Sequence, residues 1–441
     1  MRVDQDPEGA DLLQEALTEQ PAVPLETKRL YDQRVQRFLD AAALREPDRV
    51  PILEPGTNTF PYHYAGYSMA EVLYDLEKTK DAIRRYHRDF DLDSGHTFGA
   101  ASEGQGPMYE LSRTKTFYWS GMPGNVIGDN SIQQFIEFPL VESEEYDQLV
   151  KDRSQVLLTK ALPRAYGLFE PLANLNLNSL FYPAFGYNGL VGAAAQPEFQ
   201  QMVQGMAQLA ALGMEYGQQA GAFAQEIESM GYPLMSPLIM LVSYDAISDF
   251  LRGTMGMSTD LYDFPEKVKF ILDEHVSLAV DAVLHGPAFP NRFVFIPMHK
   301  GMDGFLSDAQ YEEFYFPYLL RIVDAIISVG MIPYVYTEGR YTTRLPFLKQ
   351  LPKGKCVVHF EDVDMAEAKR ELGDVACLTG NYPAHLLTHA SPTEVIDKAK
   401  RLLDVVMPGG GYIFDFDGGL YNAKPENVEA LFTTIKEYGK Y

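Results

Sequence analysis

Short apolar runs alternate with amphipathic helical patterns through the last third of the chain, and this alternation limits the fold more than any other feature. Five such runs, with the patterns between them, take up about 145 residues. The runs are residues 292–299, 331–338, 355–362, 374–381 and 410–419. Because parallel strands need a crossover connection, usually a helix, the alternation predicts consecutive βα units.

Two α/β architectures satisfy this pattern, a doubly wound parallel sheet and a (β/α)8 barrel. The chain has 441 residues, so the part before residue 292 has room for three more βα units and for insertions. We therefore predict an α/β fold of the (β/α)8 TIM-barrel type with an N-terminal helical extension and insertions.

Capping residues indicate where several helices begin. When Ser is followed three positions later by Glu or Gln, each side chain can satisfy a backbone N–H near the other, which is a capping box. The pairs with this spacing are Ser68 with Glu71, Ser307 with Gln310, and Ser391 with Glu394. Asp364 is a further N-cap candidate, and residues 264–285 have the pattern of one helix that ends before Gly286.

The N-terminal part lacks the strand–helix rhythm. Residues 1 to about 25 are polar, contain Pro and Glu, and show little periodicity. We therefore divide the chain into an N-terminal arm or extension, residues 1–45, and a barrel domain, residues 46–441.

The charge balance limits the partners. Lys and Arg number 37 and Asp and Glu number 61, so the formal net charge is −24. This much negative charge repels nucleic acid phosphates and anionic lipid head groups, so we expect a small-molecule substrate and neither nucleic acid nor membrane as a partner. A homodimer stays an open alternative.

Cysteine content and the first residues point to a compartment. The chain has two cysteines, Cys356 and Cys377, which cannot form a disulfide framework or a Cys-rich zinc site. The first residues, MRVDQDPEGADLL, are acidic and lack the apolar stretch of a signal peptide. We therefore expect a cytoplasmic protein.

Ionisable side chains stand where the predicted strands end. In a (β/α)8 barrel the carboxyl ends of the strands form the reactive face. Reading each run to its end gives the following candidates: His299, Glu338, His359, Asp417 and, two residues earlier, Asp415. Two imidazoles and carboxylates at one rim can bind zinc or form an acid–base pair. Each residue also has a structural alternative, as a loop anchor, a cap or a satisfied buried side chain.

Several stretches of the chain resemble the uroporphyrinogen decarboxylase superfamily. They are DRVPILEPG, LRGTMGMSTDLYDFPEKV, FLSDAQYEEFYFPYLLRIVDAI, LTGNYP and GGGYIFDFDGG, and the resemblance extends from about residue 45 to residue 440. It implies a TIM barrel and one of two chemistries, tetrapyrrole decarboxylation or zinc-dependent methyl transfer to a corrinoid.

The resemblance to the decarboxylase branch is incomplete. That branch binds its acidic macrocycle with N-terminal arginines, but no arginine lies between Pro51 and Ser68 here. A substrate with many carboxylates would be repelled by an acidic protein that lacks this clamp.

The methyltransferase branch offers a better match. Its thiol-methylating members hold zinc with His-x-Cys, where this chain has Tyr334-Val335-Tyr336. Members that demethylate methyl ethers use Glu and His instead, and Glu338 and His359, with twenty residues between them, are similar to that pattern. An upstream Glu of the pattern is missing, since Val323 stands fifteen positions before Glu338.

This resemblance implies a zinc ion held by Glu338, His359 and a further ligand, His299 or Asp417, which acts as a Lewis acid on an ether oxygen. The methyl group would pass from a methoxylated, aromatic substrate to a corrinoid on a partner protein, because the chain contains no Asp-x-His-x-x-Gly cobalamin motif. We assign Glu338, His359 and Asp417 to catalysis. The expected aromatic pocket wall, with barrel packing as its alternative, comprises Tyr334, Tyr336, Tyr341, Phe414 and Phe416.

Two other functions stay open from the sequence. One is decarboxylation of a smaller or less acidic substrate without metal, with a strand-end Asp as proton relay. The other is a non-catalytic barrel that binds a ligand without turnover.

Overall fold

A computed structural model describes residues 24–53, 58–98, 102–124, 126–176 and 183–441 of the chain. Most of the expected N-terminal arm, residues 1–23, lies outside these ranges. The rest of the arm is mainly a helix, α1 (Leu25–Ala42).

A six-stranded parallel sheet forms the largest part of the barrel, and its strands follow one another in chain order. A short antiparallel hairpin, β1 (Phe117–Tyr118) and β2 (Gln134–Phe135), precedes it. The strands of the parallel sheet are β3 (Leu238–Ile239), β4 (Phe293–Met298), β5 (Ile332–Arg340), β6 (Val357–Asp362), β7 (Cys377–Gly380) and β8 (Tyr412–Ile413).

Two short segments, residues 50–53 and 92–95, close the sheet into a ring. Segment 50–53 lies beside the continuation of β8. Segment 92–95 lies between segment 50–53 and the residues before β3. The backbone bonds that close the ring are Phe414 N to Pro51 O (2.8 Å), Asp93 N to Ile52 O (3.3 Å), Gly95 N to Pro233 O (2.8 Å) and Phe293 N to Met235 O (2.6 Å). The predicted barrel is confirmed, and the doubly wound alternative is wrong because the two sheet edges meet.

Helices surround the barrel and fill the insertions. Up to the barrel's third strand they are α2 (Phe60–Ala65), α3 (Met69–Val72), α4 (Leu76–Phe90), α5 (Gly106–Ser112), α6 (Tyr146–Lys151), α7 (Arg153–Val156), α8 (Leu162–Ala165), α9 (Pro183–Ala194) and α10 (Pro197–Ser229). After it they are α11 (Ser243–Ile247), α12 (Thr254–Asp263), α13 (Pro265–His285), α14 (Asp308–Phe314), α15 (Phe316–Ser328), α16 (Leu345–Leu348), α17 (Met365–Leu372), α18 (His385–His389), α19 (Pro392–Val406) and α20 (Pro425–Tyr438). Short 3-10 turns cover Ser143–Glu145, Gly167–Asn174 and Thr342–Arg344, and π-helical turns cover Leu157–Ala161 and Ser248–Arg252.

The predicted capping boxes at Ser68, Ser307 and Ser391 are all formed. The helical pattern after Ser68 is nevertheless two helices, because the Asp75 side chain accepts two backbone N–H bonds and starts α4. Among the described helices, none has the length and apolar content needed to cross a membrane.

Alternation along the strands sorts their side chains between two cores. Val294, Ile296 and Val335 face the surrounding helices, whereas Phe293 and Tyr334 point into the barrel. The α1 helix contributes Phe38, Ala41 and Ala42 to this interior cluster. The ring of Phe38 meets that of Phe293 edge-on at a centroid distance of 6.0 Å. The α1 helix therefore covers the barrel interior and belongs to the folded unit.

This packing predicts that Phe38→Ala destabilises the whole barrel. Phe38 is fully buried, and removing a buried phenylalanine ring costs about 3–5 kcal/mol. Denaturant unfolding measures the loss, and Leu30→Ala, at a site on the same helix that is 43% exposed, serves as control and should cost less than about 1 kcal/mol. Equal losses in the two variants would show that α1 does not cap the interior.

Candidate functional site

His299 and Glu338 meet at the carboxyl ends of neighbouring strands. Met298, the last residue of β4, pairs with Thr337 of β5, so the residues that follow each of them lie at one level. His299 Nε2 is 3.5 Å from Glu338 Oε1, and the two side chains are 27% and 41% exposed. The structure thus brings two of the predicted site residues together at the accessible rim.

The other ring nitrogen of His299 is held by Asp249. His299 Nδ1 lies 2.5 Å from Asp249 Oδ2, and Lys300 Nζ lies 3.2 Å from the second carboxylate oxygen. Burial favours the neutral ring, but the bond to Asp249 and the charges of Glu338 and Asp245 outweigh it and raise the pKa of His299 to about 9. The ring is therefore an imidazolium at neutral pH, with one N–H committed to Asp249.

Asp245 fixes the backbone that carries His299. Its carboxylate accepts the backbone N–H groups of His299 (3.1 Å) and Lys300 (2.9 Å) and the hydroxyl of Tyr315 (2.5 Å). Burial raises the pKa of Asp245 to about 7, although these bonds and the His299 charge oppose the shift. Asp245 thus positions His299.

Asp245 and Asp249 are functional candidates that the sequence reasoning missed. They stand four residues apart, Asp245 in α11 and Asp249 in the π-helical turn that continues it, directly after β3. Spacing of four places both on one helix face. The sequence did contain a signal for them, because both acids follow the apolar run at 237–242. His299 was chosen as a candidate for the same reason, its position at the end of a predicted strand.

Glu361 is the third residue that was missed. It accepts the Gly339 backbone N–H at 2.6 Å beside Glu338. Burial, with the negative charges of Glu338 and Asp417 adding to it, raises the pKa of Glu361 to about 7. Burial also raises the pKa of Glu338, and the positive charge of His299 partly offsets this shift. The rim therefore holds carboxyl groups that exchange protons closer to neutral pH than ordinary ones do.

His359 does not reach this rim, which corrects the prediction that it pairs with Glu338. It pairs in register with Tyr336, one inward-facing position deeper than Glu338, because β6 continues to Asp362. Its ring is fully buried, stacks on Tyr336 at 3.8 Å and donates from Nε2 to the Phe416 carbonyl at 2.8 Å. Burial lowers the pKa of His359 to about 3, so the ring is neutral.

The two aspartates after β8 take different positions. Asp415 is buried and accepts the Tyr334 hydroxyl at 2.8 Å, and its carboxylate lies 3.8 Å from His359 Nε2. Asp417 is half-buried, accepts the Ala384 backbone N–H at 2.9 Å, and has a pKa that burial raises. Asp417 thus lies at the rim with Glu361. It also accepts a backbone hydrogen bond from a loop, which is the capping role given above as its structural alternative.

The five aromatics expected to line a pocket are packed inside the fold. Tyr334, Tyr336, Tyr341, Phe414 and Phe416 are all buried. Tyr334 and Tyr336 belong to the barrel interior, whereas the other three rings belong to the core between the barrel and its helices. The Tyr341 hydroxyl donates to the Met298 carbonyl at 2.8 Å, and Phe414 packs against Tyr382 and Phe416. These contacts favour barrel packing, the alternative role of the five rings.

The expected zinc site does not fit the residues present. Zinc is held by three or four protein ligands, and His299 Nε2 and Glu338 Oε1 supply only two donors near one point. In the described ranges, no group of three or more His, Cys, Asp or Glu side chains is arranged to hold a metal ion. The third expected ligand, His359, is turned into the barrel and bonded to a carbonyl.

Comparisons with known proteins agree with the barrel. Residues 252–438 match the family model for uroporphyrinogen decarboxylase (URO-D). The uroporphyrinogen decarboxylase of Anaeromyxobacter dehalogenans (strain 2CP-C) is 33% identical over 138 residues, which are 31% of this chain and 38% of that protein. That of Pseudomonas syringae pv. syringae (strain B728a) is 23% identical over 263 residues, 55% of this chain and 71% of that protein. The chain spans 38–39% of the length of several such relatives.

A methyltransferase from Methanosarcina mazei has a similar structure. Its TM-score is 0.55 at 12% sequence identity, and the alignment covers 92% of this chain and 98% of that one. At this identity the similarity shows a shared fold.

The raised pKa of His299 predicts a pH-dependent contribution to stability. A group whose pKa is raised on folding stabilises the protein below its unfolded pKa, near 6.5, and loses that contribution as the pH rises through the folded value, here about 9. Asp249→Asn should remove much of this contribution, which is at most about 3 kcal/mol, and flatten the fall in unfolding free energy between pH 6.5 and 9.5. Denaturant unfolding at both pH values measures it.

The control is Asp281→Asn, which removes the exposed partner of His285. It should leave the pH profile as in the unmodified chain. A profile for Asp249→Asn that superimposes on the unmodified one would contradict the assignment of the His299 charge to Asp249.

Proposed function

We propose, from the uroporphyrinogen decarboxylase (URO-D) family domain that the chain carries over residues 252–438, that the protein is an enzyme that transfers a methyl group from a methoxylated aromatic compound to the cobalt(I) corrinoid of a separate carrier protein. The methyltransferase with the similar structure supports methyl transfer over the decarboxylation named in its sequence relatives. The low net charge of an aryl methyl ether also suits the acidic rim better than a polycarboxylate does.

One observation carries the proposal: His299 is held by Asp249 so that its Nε2–H lies at the accessible rim. Asp249 holds Nδ1 of His299, and Nε2 stands next to Glu338 where a substrate can reach it. Alkyl ethers resist cleavage because an alkoxide or phenoxide is a poor leaving group. A proton delivered to the ether oxygen removes this obstacle, and general acid catalysis of this type contributes about 10²–10⁴-fold in rate.

The reaction balances with one proton. The bond between the methyl carbon and the ether oxygen breaks, and its electron pair stays on oxygen, which takes the Nε2 proton of His299. The electron pair of cobalt(I) forms the new bond to the methyl carbon, so the products are an alcohol or phenol and methylcobalt(III). The imidazole then takes a proton from solvent at the open rim, where the Glu338 carboxylate, 3.5 Å from Nε2, favours the imidazolium.

Zinc has no part in this proposal, because the described residues supply two donors where a resident ion needs three. The task that the sequence assigned to a Lewis acid, stabilising charge on the leaving oxygen, falls to the imidazolium. Asp249 and Asp245 hold the ring and its backbone, so its orientation is set before a substrate arrives.

Decarboxylation is the second candidate, and Glu361 is the observation that favours it. A carboxyl group with a pKa of about 7 can protonate the carbanion that remains after carbon dioxide leaves. Incubation of the protein with aryl carboxylic acids and detection of carbon dioxide tests this reading. Carbon dioxide release that Glu361→Gln abolishes, with no methyl transfer from any ether, would replace the primary proposal.

The proposal predicts which variants lose methyl transfer. The purified chain is mixed with methoxybenzene derivatives and cob(I)alamin, and the absorbance change on formation of methylcob(III)alamin gives the rate. His299→Gln should lower kcat by about 10²–10⁴-fold, since it removes the acid, and Glu338→Gln by a smaller factor. His285→Gln, at an exposed histidine on α13, is the control and should retain the full rate. A His299→Gln variant with the unmodified rate would overturn the assignment.

The proposal also predicts a pH profile and an insensitivity to chelators. The acid must be protonated, so kcat should be constant at neutral pH and fall as the pH rises through about 9, the pKa of His299. Prior treatment with EDTA should leave the rate unchanged. Loss of activity on chelation with recovery on adding zinc would show that a metal, and not the imidazolium, activates the oxygen.

A further inference from the structure

An apolar cavity adjoins the residue that holds His299. It has a volume of about 330 Å³ and lies between the β1–β2 hairpin, the helical segment 157–166 and the π-helical turn Ser248–Arg252. This volume is within the range of small-molecule sites. None of the residues proposed from sequence as a pocket wall lines it.

Aromatic rings make up much of the cavity wall. Phe117 and Phe135 of the hairpin are 5.5 Å apart between centroids, and Phe135 is 5.4 Å from Phe250 at an interplanar angle of 62°. Phe138 and Tyr166 line the same space. Phe135 and Phe250 are 39% and 43% exposed, so both rings are accessible to a molecule that enters the cavity.

Asp249 joins this cavity to the catalytic candidates. Of the described residues that line it, Asp249 alone carries a charge. Its Oδ2 holds His299, and its buried Oδ1 forms an ion pair with Lys300 Nζ at 3.2 Å. A molecule in the cavity therefore borders Asp249, the residue that holds His299.

We infer that this cavity binds the aromatic ring of the methyl donor and selects uncharged rings. This rests on the proposed function and adds the substrate class and the residues that set specificity. Edge-to-face contacts with Phe117, Phe135 and Phe250 favour a planar ring over a saturated one. A ring that carries its own carboxylate is disfavoured, because Asp249 is already paired with His299 and Lys300 and the other described residues of the wall offer an anion no charged partner.

Binding without turnover tests the inference. Calorimetric titration of the full chain uses methoxybenzene as the probe, with cyclohexyl methyl ether as its saturated counterpart and 4-methoxybenzoate as its charged counterpart. Methoxybenzene should bind at least about threefold more tightly than either. Phe135→Ala and Phe250→Ala should each weaken methoxybenzene binding by roughly two- to tenfold, the range for losing one aromatic contact.

Phe289→Ala is the matched control, because Phe289 is also 39% exposed but does not line the cavity. It should bind like the unmodified chain. Equal affinity in all three alanine variants, equal binding of the saturated ether, or no binding of methoxybenzene would each overturn the inference.

Binding and methyl transfer measured on the same protein separate this inference from the proposed function. Selective binding of methoxybenzene that depends on Phe135 and Phe250, together with no methyl transfer in the unmodified chain, would retain the binding site and reject the reaction.

Discussion

The two-residue alternation of side chains along each barrel strand determines where every candidate residue can act. In β5 it sends Tyr334, Tyr336 and Glu338 toward the barrel axis at successive depths, and only the last reaches solvent. In β6 it does the same for His359 and Glu361. Because neighbouring strands are in register, their inward residues form layers, and a residue's layer decides whether it packs or reacts.

The candidate residues chosen from the sequence lie within one layer of the rim in the structure. The strand–helix rhythm, the strand ends at His299 and Glu338, and most helix caps follow from local patterns, so they could be read from the sequence. The depth of His359 was misjudged, because the predicted run 355–362 already ends at Asp362, as β6 does, and His359 stands three residues before that end. His359 is therefore buried one layer down, and Glu361 lies beside Glu338. Asp245 and Asp249 follow the apolar run at 237–242, which was the available signal, but the π-helical turn that carries Asp249 has no simple sequence signal.

Burying the carboxylates of Asp245 and Asp249 costs free energy, and their pairing with His299 offsets that cost. Asp245 is fully buried and Asp249 nearly so, and each carboxylate would be unfavourable without the His299 charge and the N–H bonds around it. The same arrangement keeps His299 protonated where an exposed histidine would be neutral. Asp249 also lines the adjoining apolar cavity, so an electrostatic contact on that side of the carboxylate is stronger than in solvent.

His299 at the rim is an imidazolium, whereas His359, one layer below, is neutral. Nitrogen-15 NMR of histidine-labelled protein at pH 7, with resonances assigned through His299→Gln and His359→Gln, tests this difference directly. We expect two protonated ring nitrogens for His299 and one for His359. A neutral His299 ring, or a charged His359, would contradict it.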